Sequence, residues 1–421
     1  MDIETESVDK PSFTLINPPS SFLLSERVMA PLGILYIASV LKKEGVKVNF
    51  IDLAGRKDLE EACKEIPCSH YYGLTSTTPQ FPSVQEILKY IPQEDTVLGG
   101  PQATVAPKMC VEAGFDNVVV GDGENGVLDF LRGKRGIIRS EPIKNLDEVP
   151  FPDRSLVKDY NYSINNIPAT TMVTSRGCAY GRCSFCSQSN LGIRFRSVEN
   201  VVEELKQIRS LGYRALMIYD DELFFNKRRD LKICYWLSKL GFIWRCFSRS
   251  DLIDEKIASA AQYTGCKEIL LGIESGSDII LKNINKGTTV AQNRRAIKTL
   301  HENKIRVKSA MIIMLPGESH ETLRETWEFC EEMEPYVSAW DFTTCVAYPG
   351  SEIYRDPTKF DFNFDEKAMF SAYKGGGSSV WIPPKVWTKE LSYEVGLKYR
   401  KLFEDRFKSG KKNLKFKVIK E

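Results

Sequence analysis

Two α/β domains in series, an open parallel sheet and then an incomplete (β/α)6 barrel, are the fold class the sequence predicts. Three observations lead there. Short apolar β-prone runs alternate with helical periodicity twice over, across residues 13–131 and again across 169–350. Glycines and prolines cluster directly after the strand candidates. The 421 residues are 42% hydrophobic and 27% charged, a balance that supports buried cores in a chain long enough for roughly two to three domains.

Residues 1–12 are acidic and polar and are expected to be a disordered tail, lacking the basic and apolar stretches of a signal peptide. Strands follow at 13–19, 48–55, 70–77, 96–102 and 117–124. Between the first two, Ile34, Ile37, Ala38 and Leu41 form a helical stripe that ends near Gly45. Buried strands joined through helices imply parallel pairing, hence a Rossmann-like sheet. Such sheets bind ligands at the carboxyl ends of their strands. Pro18-Pro19, Gly99-Gly100-Pro101 and Gly121 occupy that position here, and tight turns are the plain alternative use for them. Residues 132–168 carry proline and charge with little periodicity and read as a linker.

The second series places strands at 169–177, 215–222, 242–250, 267–275, 308–317 and 337–350. Helical patterns lie between them, such as Val201, Val202, Leu205, Ile208 and Leu211. A barrel puts its chemistry on the loops that follow its strands. Residues 351–421 read as a small, mostly helical extension. It has a Gly/Ser turn at 375–379, an amphipathic helix near 388–408, and an edge strand in which Leu414, Phe416 and Val418 alternate with Lys415 and Lys417.

Lys and Arg total 58 against 56 Asp and Glu, for a net charge of +2, which argues against a nucleic-acid partner and against a solvating acidic chain. No apolar run approaches the length of a membrane span. The expected location is the cytoplasm, where the eleven cysteines would stay reduced. Three of these stand apart, Cys178, Cys183 and Cys186, directly after the first strand of the second series. No fourth Cys or His lies nearby to complete a tetrahedral zinc site, although a distant ligand would still allow one. Three thiolates on a four-iron cubane would leave one iron open to a substrate or cofactor. The other cysteines, including Cys345 on the last barrel strand, suit core packing.

This cysteine loop resembles that of the radical SAM enzymes, whose three cysteines follow the first barrel strand with an aromatic before the last, here Phe185. Four residues rather than the usual three separate Cys178 from Cys183. The resemblance implies that the three cysteines hold a [4Fe–4S] cluster and that the open iron chelates S-adenosylmethionine. It further implies SAM contacts from Phe185, from Asp220 and Asp221 of the Asp220-Asp221-Glu222 run, and from Arg249. Glu274 would meet the ribose, and Pro316 and Gly317 the adenine. Tyr348-Pro349-Gly350-Ser351 is similar to an element of the cobalamin-binding branch. So are the N-terminal pieces, which imply corrin contacts from Pro19, Leu32, Gly33, Thr75, Ser76, Gly99, Gly100, Pro101 and Gly121. No Asp-x-His-x-x-Gly is present, so the implied cobalamin would be held without a histidine below cobalt.

What the family implies for activity is cleavage of S-adenosylmethionine to a 5′-deoxyadenosyl radical. Methyl transfer to an unactivated carbon or to phosphorus would follow, in a small-molecule or lipid substrate. The electron would come from an external donor of the flavodoxin or ferredoxin type. Two alternatives stay open: ring formation or rearrangement without methyl transfer, and a first domain that no longer binds cobalamin. A zinc-binding module without catalysis is the alternative from outside the family.

Overall fold

The computed structural model describes residues 10–20, 23, 25–187, 192–366 and 385–420. Most of the expected tail and the whole Gly/Ser turn lie outside them. The chain divides into two compact units between Tyr162 and Ser163.

The first unit is built on a six-stranded sheet. Its strands are β1 (Ser12–Asn17), β2 (Lys47–Asp52), β3 (Tyr71–Thr75), β4 (Thr96–Gly99), β5 (Asn117–Val120) and β6 (Gly136–Arg139), in the order β2-β1-β3-β4-β5-β6. Every pairing is parallel. Parallel strands need crossovers, and the helix Leu32–Lys43 supplies the first, burying Ile34, Leu35, Ala38 and Leu41. These pack with Phe13, Leu15, Val97, Val119 and Phe130 in one apolar cluster. The strand order reverses between β1 and β3, which makes their carboxyl ends a topological switch point.

The stretch expected to be a linker contributes the sixth strand. Its short Gly136–Arg139 run has too few residues to show periodicity, and the tie that recruits it is tertiary. Asn117 is buried on β5 and donates to the carbonyls of Glu94 and Thr96 at 3.0 and 3.1 Å. Its own carbonyl accepts the Gly136 N–H at 3.2 Å.

The second unit opens with a short hairpin of β7 (Ser163–Ile164) and β8 (Ile167–Met172). The pair β9 (Ser175–Arg176) and β10 (Arg194–Phe195) brackets the cysteine loop. Then come β11 (Ala215–Ile218), β12 (Ile243–Ser248), β13 (Cys266–Glu274), β14 (Arg306–Ile313) and β15 (Ala339–Thr344). The seven-stranded sheet runs β15-β14-β13-β12-β11-β8-β7, and its six strands from β8 to β15 are parallel neighbours. All six barrel strands therefore form where the alternation predicted them. Each crossover helix begins at a polar cap: Ser197 for Val198–Ser210, Asn226 for Lys227–Lys239, Asp254 for Glu255–Tyr263, and Thr289 for Val290–Glu302.

The C-terminal extension adds a hairpin of β16 (Phe362–Phe364) and β17 (Val386–Thr388), then the helix Tyr393–Phe403, which continues as a π turn to Lys408. The Leu414–Val418 stretch is not a strand. Leu414 and Phe416 pack against the barrel core, with the Phe416 ring stacked on Tyr399 at 5.7 Å, while Val418 is exposed. Alternation here reflects one apolar side lying on a packed surface without a partner strand. Among the described residues, no helix is long and apolar enough to cross a membrane.

Asn117→Ala should cost about 1–3 kcal/mol, because it removes three hydrogen bonds between a buried side chain and the backbone of Glu94, Thr96 and Gly136. Chemical denaturation would measure the loss, and hydrogen exchange should show protection falling first at residues 136–139.

Candidate active site

The cysteine loop leaves the barrel at the carboxyl end of β8. What holds that end is a buried carboxylate from the neighbouring strand. Asp220, just past β11, accepts the Thr174 N–H and hydroxyl, both at 2.6 Å, and the Ser175 hydroxyl at 2.9 Å. Arg229 donates to the Thr174 carbonyl at 2.6 Å and to its hydroxyl at 3.1 Å. Arg196, ion-paired to buried Glu204, reaches the Val173 carbonyl at 2.8 Å. Burial raises the Asp220 carboxyl, opposed by these hydrogen bonds and by Arg229. The Asp220 oxygens thus point into the fold rather than toward a ligand.

Glu222, two residues on, faces the loop itself. Its Oε1 accepts the N–H groups of Ala179 and Tyr180 at 2.6 and 3.2 Å. Its Oε2 is buried and has no hydrogen-bond partner. The nearest cation, Arg249 Nε, is 3.7 Å from it. This orphaned oxygen belongs to a residue lining a cavity of about 230 Å³, shared by Ala179, Tyr180, Arg182, Phe225, Arg249 and Asp251. Asp221 keeps solvent access, yet the surrounding protein desolvates its carboxyl. The flanking Asp220 and Glu222 add to this and push it up to about 6.

A chain of charges continues along the strand ends. Arg249 grips Asp251 with two bonds of 3.0 and 3.1 Å and donates to the Lys286 carbonyl at 3.0 Å. Its guanidinium lies 4.0 Å from the centre of the Tyr180 ring. Lys286 pairs with Glu274 at 2.7 Å, both side chains being buried. Glu274 sits at a bulge of β13 with φ +65°. At Gly272, two residues before it, an added Cβ would lie 2.6 Å from the Glu274 carboxylate and 2.8 Å from Lys286 Nζ. Glycine is required there because the ion pair fills the space.

The three cysteines are half-buried on this rim. Burial raises the Cys183 thiol, with Lys286 and Arg249 opposing, and raises Cys178, with the Gly181 N–H opposing. Two cations beside Cys183 favour the thiolate that a metal requires. The loop is pinned between them: Ser184 N–H donates to the Ile284 carbonyl and its carbonyl accepts from Ile353, both at 3.0 Å. Asn285 donates to the Arg182 carbonyl at 3.0 Å. Phe185 packs against the barrel core. Among the described residues, no three His, Cys, Asp or Glu side chains are grouped to hold a single metal ion. A cubane asks instead for one thiolate per iron, and three part-exposed thiols on one loop, one of them with cations acting on it, fit that demand. The partnerless Glu222 oxygen likewise fits a cationic ligand bound next to the cysteines.

Pro316 and Gly317 form the turn after β14, with Gly317 at φ +78°. Glu318 holds this turn. Its Oε2 accepts the N–H groups of Met314 and Leu315, and its Oε1 is buried without a partner. Desolvation pushes its carboxyl up to about 8, against those two hydrogen bonds.

In the first unit, the expected corrin contacts gather at the strand ends. Pro19 is buried after β1. Thr75 ends β3 and Ser76 follows it, with the Ser76 hydroxyl donating to the Thr77 carbonyl at 2.8 Å. Gly99 and Gly33 have open space where a side chain would stand. Gly100 has φ +91°, with the Ser76 backbone about 3.0 Å from where a Cβ would sit. Leu32, Pro101 and Gly121 are at least partly exposed. Four of these nine positions are glycines, and the open space at Gly33 and Gly99 would admit the face of a planar ligand.

Comparison with known proteins decides the family. A radical SAM superfamily profile matches residues 172–330, and a B12-binding domain profile matches residues 24–131. The chain is 30% identical, over 90% of its length and 94% of the relative's, to an uncharacterized methyltransferase of Pyrococcus horikoshii. The chain belongs to the radical SAM superfamily, in the branch with a B12-binding domain. Its cofactors are accordingly a [4Fe–4S] cluster, S-adenosylmethionine and cobalamin. It is also 28% identical to the anaerobic magnesium-protoporphyrin IX monomethyl ester cyclase of Rubrivivax gelatinosus, covering 89% of this chain and 74% of the relative. Two solved structures share the fold. One is the cobalamin-dependent S-adenosylmethionine radical enzyme OxsB (TM-score 0.64, 20% identity), covering 88% of this chain and 57% of that one. The other is the radical S-adenosylmethionine methyltransferase TsrM of Kitasatospora setae (TM-score 0.65, 17% identity), covering 82% and 74%.

The resemblance puts the run Asp220-Asp221-Glu222 at the methionyl amino group and favours its first two members, and it gives no part to Lys286 or Tyr180. Nothing in the local sequence marks Lys286, which meets Glu274 only through the loop after the helix Asp278–Asn283.

Two outcomes follow. At Gly177, φ +89°, an added Cβ would collide with the Gly192 carbonyl, so Gly177→Ala should lower the iron bound per chain after anaerobic reconstitution. Glu318 binds its proton more tightly in the folded state than its ordinary value of 4.5 allows in the unfolded one. Its contribution to stability is therefore complete below about pH 4.5 and is lost as pH rises through about 8. Denaturation between pH 5 and 8 should show a falling slope that Glu318→Gln removes.

Proposed function

We propose that this protein is a cobalamin-dependent radical SAM methyltransferase acting on an unactivated carbon or phosphorus centre. The observation that carries the reading is the partnerless Glu222 oxygen on a cavity beside three cysteines, in a chain that also has a glycine ledge in a B12-binding domain. The methyltransferase relative that spans both domains supports methyl transfer.

When bound, the cluster supplies an electron to S-adenosylmethionine, and cobalamin supplies the methyl-carrying chemistry. In this reading Cys178, Cys183 and Cys186 each ligate one iron. Glu222 Oε2 accepts a hydrogen bond from the methionyl ammonium, and Asp221 adds negative charge at that end. Asp220 acts by holding Thr174 and Ser175, so its part is positioning. Arg249 stiffens the loop through Tyr180 and presents positive charge toward a carboxylate. Glu274, with Oε1 on Lys286, offers Oε2 to a ribose hydroxyl. Phe185, Pro316 and Gly317 flank the adenine and help exclude water. In the first domain, Pro19, Leu32, Gly33, Thr75, Ser76, Gly99, Gly100, Pro101 and Gly121 form the corrin seat. An external one-electron donor completes the requirement.

The match to a ring-forming cyclase supports a second reading, radical chemistry without methyl transfer. Both are tested on full-length protein reconstituted anaerobically with iron, sulfide and hydroxocobalamin. With methyl-labelled S-adenosylmethionine and a cell extract, the first reading expects label in a new small molecule. Release of 5′-deoxyadenosine without label transfer would favour the second. Cys183→Ala should abolish cleavage, and retained cleavage would sink both. Glu222→Gln should keep the cluster and raise KM for S-adenosylmethionine by about 10-fold or more, the scale of a lost charge-assisted bond.

A further inference from the structure

Residues 385–420 carry no catalytic motif, yet three separate contacts run from them to one short segment, the turn after β14. The first is at Met314, a non-glycine residue held at φ +67°. The helix Tyr393–Phe403 packs on it through Gly396, where an added Cβ would lie 2.6 Å from Met314 Cγ and nearer still to its sulfur. The second is at Glu318, whose backbone carbonyl accepts the buried Thr388 hydroxyl at 2.9 Å. Thr388 is itself fixed by its N–H on the Leu391 carbonyl and by the Leu391 N–H on its hydroxyl. The third is at His320, whose Nδ1 lies 2.6 Å from the hydroxyl of fully buried Tyr399. That hydroxyl also accepts the Ile419 N–H at 3.0 Å, so the last described residues close over it. Phe416 stacks on the Tyr399 ring and contacts Trp327, which keeps the tail down.

From inside the fold, the same turn is held by the Glu318 carboxyl, and Gly317 sits so close to Asn283 that a Cβ there would clash. A turn with positive φ at both Met314 and Gly317 stores conformational cost and persists only when its surroundings over-determine it. Of the seven residues from Met314 to His320, the helix grips Met314 through Gly396 and His320 through Tyr399, and the hairpin grips Glu318 through Thr388, while the tail closes on Tyr399. Packing alone would not concentrate two side-chain hydrogen bonds and a glycine notch there.

We propose that the C-terminal extension is a brace for this turn, with Thr388 and Tyr399 acting as positioning residues that set affinity for the adenosine end of S-adenosylmethionine without touching it. The proposal rests on the reading that Pro316 and Gly317 face the adenine. It gives the extension a role in every turnover, independent of the methyl acceptor.

The test uses the reconstituted full-length protein and two probes, S-adenosylhomocysteine and methionine, with binding followed by calorimetry. Tyr399→Phe removes one oxygen, and Thr388→Val keeps the shape of the side chain. Each should weaken S-adenosylhomocysteine by about 3- to 10-fold, the range of one lost hydrogen bond, and leave methionine binding and iron content unchanged. In turnover the change should fall on KM rather than kcat. A variant that weakens both probes equally, or loses iron, would indicate a general structural role and overturn the brace. Gly317→Val reports on the adenine reading. If it weakens S-adenosylhomocysteine while Tyr399→Phe and Thr388→Val bind normally, the brace fails and the turn's role stands. If Gly317→Val also binds normally, the adenine reading falls and takes the proposal with it.

Discussion

The Asp220 carboxylate is the constraint on which the site depends. It is buried at the end of β11 and takes three hydrogen bonds from Thr174 and Ser175, the residues that carry the chain from β8 into the cysteine loop. Burying a carboxylate costs several kcal/mol unless its oxygens are satisfied. Here the satisfaction comes from a neighbouring strand's exit, so the cost is offset only when β8 and β11 are in register. The loop direction after β8 is thereby tied to the sheet. With Asp220 committed inward, Glu222 turns toward the loop and presents an oxygen that has no hydrogen-bond partner and lies 3.7 Å from Arg249.

From Glu222 the charges alternate along the strand ends: Arg249 after β12, Glu274 on β13, and Lys286 reaching back from the following loop. Such a chain is self-compensating, which allows four ionic side chains to be buried without a net charge. It also sets Lys286 and Arg249 against the desolvation that raises the Cys183 thiol. At the far side, the turn after β14 is gripped by the C-terminal segments, so both edges of the barrel mouth are held by residues distant in sequence.

Most of the fold was legible from the chain. Eleven parallel strands sit where apolar runs between helical stripes place them, because burial on both faces leaves a continuous hydrophobic signature. The exceptions have physical reasons. β6 is four residues long and is recruited by Asn117, a tertiary tie. The Leu414–Val418 alternation comes from packing on Tyr399 and Trp327, and a period of two does not distinguish that from a strand.

The site was legible in part, for a related reason. Cysteine spacing and turn glycines are local, so Cys178, Cys183, Cys186, Gly100 and Gly317 are visible in the primary structure as points where a ligand or a positive φ is required. The orientation of an acidic run is not local. Asp220, Asp221 and Glu222 are chemically near-identical neighbours, and only the surrounding strands decide which is spent on the scaffold, which faces water and which is left free. Lys286 and Tyr399 had no signal at all, since each acts through a partner far away in the chain. The amino-acid order was enough for the two α/β series and the family. The division of labour among the carboxylates and the contacts on the turn after β14 arise only when folding brings separate strand ends into one rim, because hydrogen-bond satisfaction is a property of that assembled rim.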